Sequence, residues 1–317
     1  MHDERNDRTR RMSRRGFLGG AAAYAVTAGA AGTLPMTALA QEEGAVTKIC
    51  VFTKHLQFLD YEAMAETAAE IGFDGVDIPV RPGGHVLPER VKDDLPRAVE
   101  AVKRNGLDPT MMTTAITGPD SPHAEAVLET GSGLGIGLYR LGYLQYDDAK
   151  GVAGSLESFR PQLRDLTAMN MGLGIRGDYQ NHAGTNVGAA VWDIWYAIKG
   201  LDPRGIGCQY DIRHATVEGG TSWPLGLKLI RPFIGSLVIK DFKWGLADGK
   251  WRVVDTPVGE GMVDFKAFFT MVKDLGITAP ITMHFEYHYE ETRGGAAAIM
   301  GKDLAALKSL LAEAGLI

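Results

Sequence analysis

The sequence predicts an α/β protein with one (β/α)₈ TIM barrel domain, preceded by a separate N-terminal segment. Short apolar strands alternate eight times with amphipathic helical stretches after residue 47, and such alternation favours parallel strands joined by right-handed crossovers. Eight units within about 277 residues fit a closed barrel, which takes ~250 residues. No Gly-x-Gly-x-x-Gly turn follows the first strand, which argues against a dinucleotide-binding sheet.

The first forty residues have the pattern of an export signal. Residues 1–12 are hydrophilic and mostly basic, and Ser13-Arg14-Arg15-Gly16-Phe17-Leu18 has two adjacent arginines, one spacer and two apolar residues. An apolar run rich in Ala and Gly follows, and Ala38-Leu39-Ala40 supplies the small residues of a cleavage site. We therefore predict a twin-arginine signal peptide over 1–40 and a periplasmic or extracytoplasmic mature domain over 41–317. The alternative is a retained anchor, although a membrane span needs ~20 strongly apolar residues.

The charge balance argues against a polyanionic partner. Residues 1–40 hold six arginines and three acids, which leaves 27 basic and 36 acidic residues in 41–317. Nucleic-acid binding needs clustered Lys and Arg, so we expect no nucleic-acid partner. The expected partners are a small carbohydrate and, during export, the twin-arginine translocase. Membrane contact is expected only through the signal segment. A homo-oligomer is possible on the sequence alone.

The predicted elements follow one another from strand to helix. Strands are expected at 48–53, 74–79, 109–114, 138–143, 172–179, 206–210, 234–240 and 279–285. Helices are expected at 60–71, 88–105, 123–131, 154–170, 191–198, 223–230, 264–275 and 295–314. Cys50 and Cys208 fall in predicted strands, where buried thiols are more often inert than bridged. We therefore expect two free thiols.

Polar residues cluster where the predicted strands end. Active sites of such barrels lie at the C-terminal ends of the strands, so these residues are the candidates. In chain order they are His55, Asp77, Arg81, His85, Arg140, Gln180, Asn181, His182, Asp211, Arg213, His214, Lys240, Asp241, Lys243, Trp244, His284, Glu286 and His288. Most of the eight histidines of the chain are at these ends, which an even scatter would not produce.

Several of these residues have both a structural and a functional interpretation. A carboxylate inside a barrel is costly unless it is paired or metal-bound, which favours a functional Glu286. A buried Arg140 needs an anionic or hydroxyl-rich partner, which favours substrate binding. Asp211 and His214 could instead form a structural pair. Lys240 could pair with Asp241 or contact substrate.

The strand-end motifs resemble those of the sugar phosphate isomerase/epimerase superfamily, the xylose isomerase-like barrels. The resemblance covers nearly all of the mature chain. It is carried by Tyr179-Gln180-Asn181-His182, Tyr210-Asp211-Ile212-Arg213-His214-Ala215, Val238-Ile239-Lys240-Asp241-Phe242, Val258-Gly259-Glu260-Gly261 and Phe285-Glu286-Tyr287. It implies enzymes that move a proton between carbons next to a carbonyl, with a divalent metal that stabilises the enediolate.

The resemblance also implies a set of metal ligands: a Glu, an Asp, a His and a Glu on strands five to eight. Asp211 and Glu286 match, whereas Gln180 and Val238 replace the first Glu and the His. Glutamine cannot act as a base, and valine can neither coordinate nor accept a proton. Carboxylate with imidazole suits Mn, Zn, Fe or Co. The candidate metal ligands are therefore Asp211, Glu286, His214 and Gln180, with His182 as a further imidazole.

The function implied by the resemblance is isomerisation, epimerisation or β-elimination of a free sugar, polyol or keto-glycoside. Export argues against a phosphorylated substrate. Glu286 would be the acid or base and Lys240 the second catalytic group. The candidate substrate contacts are His55, Arg140, Gln180, His182, His214 and Trp244. A catalytically degenerate carbohydrate-binding barrel is the alternative, favoured by Gln180 and Val238. The negative net charge of residues 41–317 argues against a phosphodiester-cleaving enzyme.

Overall fold

The computed structural model describes residues 44–317, which contain ten strands and nine α-helices. The strands are β1 (Ala45–Phe52), β2 (Gly75–Val80), β3 (Asp108–Thr114), β4 (Leu138–Arg140), β5 (Arg176–Gln180), β6 (Ile206–Asp211), β7 (Ile234–Ile239), β8 (Asp241–Ala247), β9 (Lys250–Thr256) and β10 (Thr278–Met283). The helices are α1 (Tyr61–Ile71), α2 (Val91–Arg104), α3 (Ala124–Gly133), α4 (Gly151–Leu173), α5 (Val191–Ile198), α6 (Ile212–Gly219), α7 (Trp223–Ile230), α8 (Phe265–Asp274) and α9 (Arg293–Ala314).

Eight of these strands close into a parallel barrel. Their order is β1-β10-β7-β6-β5-β4-β3-β2, with β2 paired back to β1. The predicted (β/α)₈ fold is therefore confirmed. All eight strands run in the same direction, so the residues that follow them gather at one end of the barrel.

The strand residues alternate between the outer core and the barrel interior. Along β7, Leu237 and Ile239 belong to the main apolar core cluster, whereas the buried Val238 does not. Ser236 shares the parity of Val238 and donates to Asp178 on β5 at 3.1 Å. Because successive strand side chains point to opposite faces, Ser236 and Val238 point into the barrel, and Lys240 continues that row beyond the strand end.

Two predicted strands differ from the structure at their ends. The fifth strand was expected from residue 172, but α4 continues to Leu173 and ends at Gly174, whose φ of 67° suits glycine. The fourth strand was expected to reach residue 143, but β4 stops at Arg140. The chain then turns, and the N–H of Gly142 donates to the carbonyl of Ile116 at 2.8 Å.

Two elements were absent from the prediction. One is α6, which starts directly at the end of β6. The other is an antiparallel hairpin of β8 and β9, which follows β7 and precedes α8. Its strands mix charged and apolar residues, and Trp244, Leu246 and Trp251 are exposed. That composition is typical of a loop, so the pattern alone did not indicate strands.

The two cysteines are free and buried, as expected. Burial raises the pKa of the Cys50 thiol to about 12. No helix in the range 44–317 is long and apolar enough to cross a membrane. The signal peptide predicted over 1–40 lies outside the described residues.

Candidate active site

Asp211 is held in place at the end of β6 by both its backbone and its side chain. Asn181, directly after β5, accepts from the N–H of Asp211 (2.7 Å) and donates to its carbonyl (2.9 Å). The carboxylate of Asp211 caps α6, because its Oδ1 accepts from the N–H of His214 at 3.0 Å. This cap explains the spacing of Asp211 and His214, which are brought together by the first turn of α6.

Gln180 connects the end of β5 to two neighbouring strands. Its Oε1 accepts from Arg140 (2.9 Å) and from the hydroxyl of Tyr143 (2.7 Å). Its Nε2 donates to Oδ2 of Asp211 at 2.9 Å. The amide thus uses both ends: its oxygen faces a guanidinium and its nitrogen faces a carboxylate.

Lys240 pairs with Asp211 rather than with its neighbour Asp241. Its Nζ lies 3.3 Å from Oδ2 of Asp211, and the side chain is 5% exposed. Asp241 instead accepts four backbone N–H groups, from Phe242, Gly259, Gly261 and Val263. The predicted alternative of a Lys240–Asp241 ion pair is therefore wrong. Asp241 organises the loop that contains Gly259 and Gly261.

The segment after β10 is fixed to neighbouring strands by its backbone. The N–H of His284 donates to the carbonyl of Ile239 (3.1 Å), and the N–H of Phe285 donates to Nε2 of His55 (3.1 Å). Burial lowers the pKa of His55 to about 3, so its ring is neutral and Nε2 can accept. His55 thereby positions the backbone next to Glu286.

Glu286 is the partly exposed carboxylate of the site. Its side chain is 30% exposed, and its Oε2 lies 3.2 Å from Nζ of Lys54. Burial acts to raise the pKa of Glu286, but the charges of Lys240 and Lys54 outweigh it and the pKa is lowered to about 2. Glu286 is therefore ionised and open to a ligand.

Two adjacent histidines, His182 and His214, are neutral, with opposite tautomers. The ring centroids of His182 and His214 are 3.8 Å apart, and burial lowers the pKa of both residues. The guanidinium of Arg213 donates to Nδ1 of His214 (2.9 Å), so the His214 proton is on Nε2. Nδ1 of His182 lies 2.9 Å from the carbonyl of Ala183, so Nδ1 donates and Nε2 of His182 is a free acceptor.

The site contains buried polar atoms that have no hydrogen-bond partner among residues 44–317. They are Nε of Arg140, Nε of Arg213, Nε2 of His214 and Nε2 of His284. An unsatisfied buried polar group costs about 1–3 kcal/mol, so such atoms call for a ligand or water. A hydroxyl-rich ligand can both donate to and accept from them.

The predicted metal ligands do not fit a divalent ion. Asp211 is surrounded by hydrogen-bond donors, and the oxygen of Gln180 accepts from Arg140. Val238 is apolar and fully buried. Within the described chain, no three His, Cys, Asp or Glu side chains form a group suited to a metal ion. Gln180, His214 and Lys240 do gather, but as donors around the carboxylate of Asp211.

The structure brings together most of the predicted site residues. Asp211, Gln180, Arg140, His214, His182 and Lys240 form one network, and Glu286 and His55 are linked to it through charge interactions with Lys240. Trp244 lies on the hairpin, 42% exposed, with its ring against Phe242. The predicted role of Trp244 in substrate binding stays a prediction.

Sequence reasoning missed three residues of the site. Lys54 pairs with Glu286, and Tyr143 binds Gln180. Phe52 lies under the site, with its ring centroid 4.7 Å from that of His284 and the guanidinium of Arg140 5.9 Å away. Lys54 directly follows a predicted strand and Tyr143 is the last residue of another, and those positions were the available signal. Phe52 had the pattern of an ordinary core residue.

A closed parallel barrel with this polar site at its C-terminal end defines an α/β barrel protein with a largely buried polar centre, of which Glu286 is a partly exposed member. The chain belongs to the family of xylose isomerase-like TIM barrels, whose profile matches residues 65–310. A search of curated protein sequences finds no significant match.

Solved structures share the fold at low sequence identity. IolI protein with a bound zinc atom is 15% identical, with 84% of this chain and 98% of that chain covered and a TM-score of 0.67. 3-Keto-D-glucoside 4-epimerase from E. coli is 16% identical, with 83% of this chain and 99% of that chain covered and a TM-score of 0.59. D-psicose 3-epimerase with D-tagatose from Clostridium cellulolyticum H10 is 15% identical, with 83% of this chain and 98% of that chain covered and a TM-score of 0.61.

Proposed function

We propose that this protein is an extracytoplasmic enzyme that moves a proton next to the carbonyl of a non-phosphorylated sugar, polyol or keto-glycoside. The outcome would be isomerisation, epimerisation or β-elimination. The observation that carries the proposal is an ionised, partly exposed Glu286, 4.0 Å from His284, in a site with four buried polar atoms that lack a hydrogen-bond partner. Family membership and the named epimerases of the same fold agree with it.

Glu286 is the proposed base. Its carboxylate removes the proton from the carbon next to the carbonyl, and the electron pair moves to the carbonyl oxygen. The low pKa of Glu286 makes it a weak base. The cations that lower that pKa also stabilise the enolate, and this offsets the loss.

The remaining polar groups are proposed to bind the hydroxyl groups of the substrate. Nε2 of His214 and Nε of Arg140 would donate, and Nε2 of His182 would accept. Each of these atoms is attached to a side chain whose other end is already hydrogen-bonded. The donors are therefore held in place before the substrate binds, which lowers the entropy cost of binding.

The proposed reaction has no metal-dependent step, because the carboxylate of Asp211 is surrounded by hydrogen-bond donors and does not fit a metal site. The extracytoplasmic location depends on the signal pattern in residues 1–40. Sugar phosphates are largely cytoplasmic, so export favours a free sugar or glycoside.

Solvent deuterium exchange tests the proposal without knowledge of the product. The full chain is incubated in D₂O with a panel of ketoses and 3-keto-glycosides, and proton NMR follows the hydrogens next to the carbonyl. We expect exchange or product formation for at least one compound, and a loss of about 100-fold or more in Glu286→Gln. Saturable binding without exchange would instead support the carbohydrate-binding barrel. Exchange that is unchanged in Glu286→Gln would remove Glu286 as the base.

A further inference from the structure

The site differs from its family pattern at the positions where that pattern has a strand-five Glu and a strand-seven His. Gln180 and Val238 are found there. Glutamine in place of glutamate removes one negative charge, and valine in place of histidine removes an imidazole ligand, so the site attracts a divalent ion less. The structure instead contains a buried cation directly next to the carboxylate of Asp211.

That cation is Lys240. Its side chain is 5% exposed and its Nζ lies 3.3 Å from Oδ2 of Asp211. By strand alternation the side chains of Ser236, Val238 and Lys240 share the face that points into the barrel, so the apolar Val238 is the neighbour of the lysine in that row. A histidine at 238 would place a polar ring where the chain now has a buried apolar side chain, in register with Asp211 and Thr282 on the neighbouring strands.

The charge of Lys240 acts on the whole site. It contributes to the lowered pKa of His182, His214, His284 and Glu286. These four residues lie at the ends of β5, β6 and β10. The positive charge of Lys240 therefore acts on titratable groups at all three strand ends.

Gln180 completes the arrangement. Its Nε2 donates to the same Oδ2 of Asp211 that faces Lys240. A glutamate here would put a second carboxylate against Asp211. Its oxygen would remain opposite Arg140, 2.9 Å away in the present structure. An amide, by contrast, satisfies both neighbours while a single negative charge faces the ammonium.

We infer that the ammonium of Lys240 takes the place of a divalent metal as the permanent cation of this site, and that the two exclude each other. The inference rests on the proposed function for its catalytic part only. There, the C–H bond breaks and its proton passes to Glu286, while a C=C bond forms. The carbonyl π pair moves to oxygen, and the resulting negative charge is stabilised by Lys240. Reprotonation of carbon by a protonated Glu286 closes the reaction with no further reactant.

Metal titration tests the exclusion directly. The full chain is purified without chelator and titrated calorimetrically with Zn²⁺ and with Mn²⁺, beside elemental analysis. Two further chains are compared: Gln180→Glu with Val238→His, and the same pair with Lys240→Met. We expect substoichiometric metal in the wild type. We expect about one ion per chain in the triple variant, with affinity at least 100-fold higher than in the double variant.

Three results would overturn the inference. They are stoichiometric metal in the wild type that is lost in Asp211→Ala, equal affinity in the double and triple variants, and no gain of binding in the triple variant. The first needs no engineered site, so a variant that fails to fold leaves the inference testable. Circular dichroism of each variant serves as the folding control.

The catalytic part has its own readout. With a compound that shows deuterium exchange, chelator should leave the wild-type rate unchanged, and Lys240→Met should lower the rate about 100-fold or more. Loss of exchange on chelation would overturn the inference. If no compound exchanges, the proposed function fails, while the metal titrations still decide whether Lys240 excludes a metal.

Discussion

Nε2 of Gln180 donates to Oδ2 of Asp211 across 2.9 Å, between strands that are neighbours in the barrel. The hydrogen bond requires an N–H on residue 180, because a buried carboxylate can only accept. The same side chain accepts from Arg140 and Tyr143 through its oxygen. Glutamine is thus the residue type that satisfies donors on one side and an acceptor on the other.

Gln180→Glu should destabilise the protein in a pH-dependent way. Two carboxylates would face each other, so the pKa of one is raised and the folded state binds an extra proton. Stability then falls as pH rises, and we expect a loss of about 1–3 kcal/mol in the free energy of unfolding at pH 8, smaller at pH 5. Urea unfolding at both pH values measures it. The exposed Gln145→Glu is the control, with an expected change within about 0.5 kcal/mol. An equal loss at both pH values would contradict the explanation.

Lys54→Met should raise the pKa of Glu286. The variant removes a cation 3.2 Å from the carboxylate, and this cation is one of the causes of its low pKa. Glu286 would then lose its charge at a higher pH than in the wild type, and the acid limb of any exchange activity would shift upward with it. The shift of the Glu286 carboxyl carbon in NMR titrations gives the same information without turnover.

Lys48→Met provides a matched control for Lys54→Met. Lys48 has similar exposure, 39% against 41%, and also pairs with a carboxylate, Asp108. It lies on β1, whereas Lys54 follows the C-terminal end of that strand. The Glu286 titration should be unchanged in Lys48→Met. Equal shifts in both variants would show that the effect is general surface charge rather than the ion pair.

Gly261→Ala should destabilise the loop that Asp241 organises. A Cβ at this position would overlap the carboxylate of Asp241 and the carbonyl of Phe242, which is rigid backbone. We expect a loss of about 2 kcal/mol or more in the free energy of unfolding. Gly301→Ala in α9 has open space around its Cβ and should be neutral or stabilising by up to about 1 kcal/mol. Thermal and urea unfolding of both variants decide the point.

Asp77→Asn should remove a pH dependence of stability. Asp77 is fully buried, accepts from Thr113, and has its pKa raised to about 6 by burial. The folded wild type therefore binds more protons than the unfolded chain between pH 4 and 6. Its stability relative to Asp77→Asn should fall by about 1.4 kcal/mol per unit as pH rises through that range, about 3 kcal/mol in all, and then level off.

Asp94→Asn tests the sign of this effect. A hydrogen bond from Arg90 lowers the pKa of Asp94, so here the unfolded chain binds more protons. The stability of the wild type relative to Asp94→Asn should rise with pH, opposite to the Asp77 pair. Urea unfolding at pH 4.5, 5.5, 6.5 and 7.5 measures the effect of Asp77→Asn. The effect of Asp94→Asn is measured between about pH 2.5 and 4.5, because a lowered pKa changes stability only below the ordinary Asp pKa of about 3.9. If the stability of the wild type changed with pH in the same direction relative to Asp77→Asn and to Asp94→Asn, the pKa shifts assigned to Asp77 and Asp94 would be contradicted.

Much of the site was predictable because the barrel fold places every strand end at one rim. Asp211, Gln180, Arg140 and Glu286 were found by their positions after apolar strands. Lys54 was missed although it follows a strand, because its neighbour His55 was the more distinctive residue type. Phe52 was missed because an aromatic residue in a strand has the same pattern whether it packs in the core or underlies a site.

The sequence by itself determined the barrel, since strand and helix periodicities are local properties that repeat eight times. It also determined which strand ends carry polar groups. Only the tertiary structure decided the partners: Lys240 with Asp211, Asp241 with four backbone N–H groups, and Glu286 with Lys54. The physical reason is that a charged side chain takes the partner that its surroundings bring within about 3 Å. That distance depends on barrel closure and strand register, which no local pattern contains.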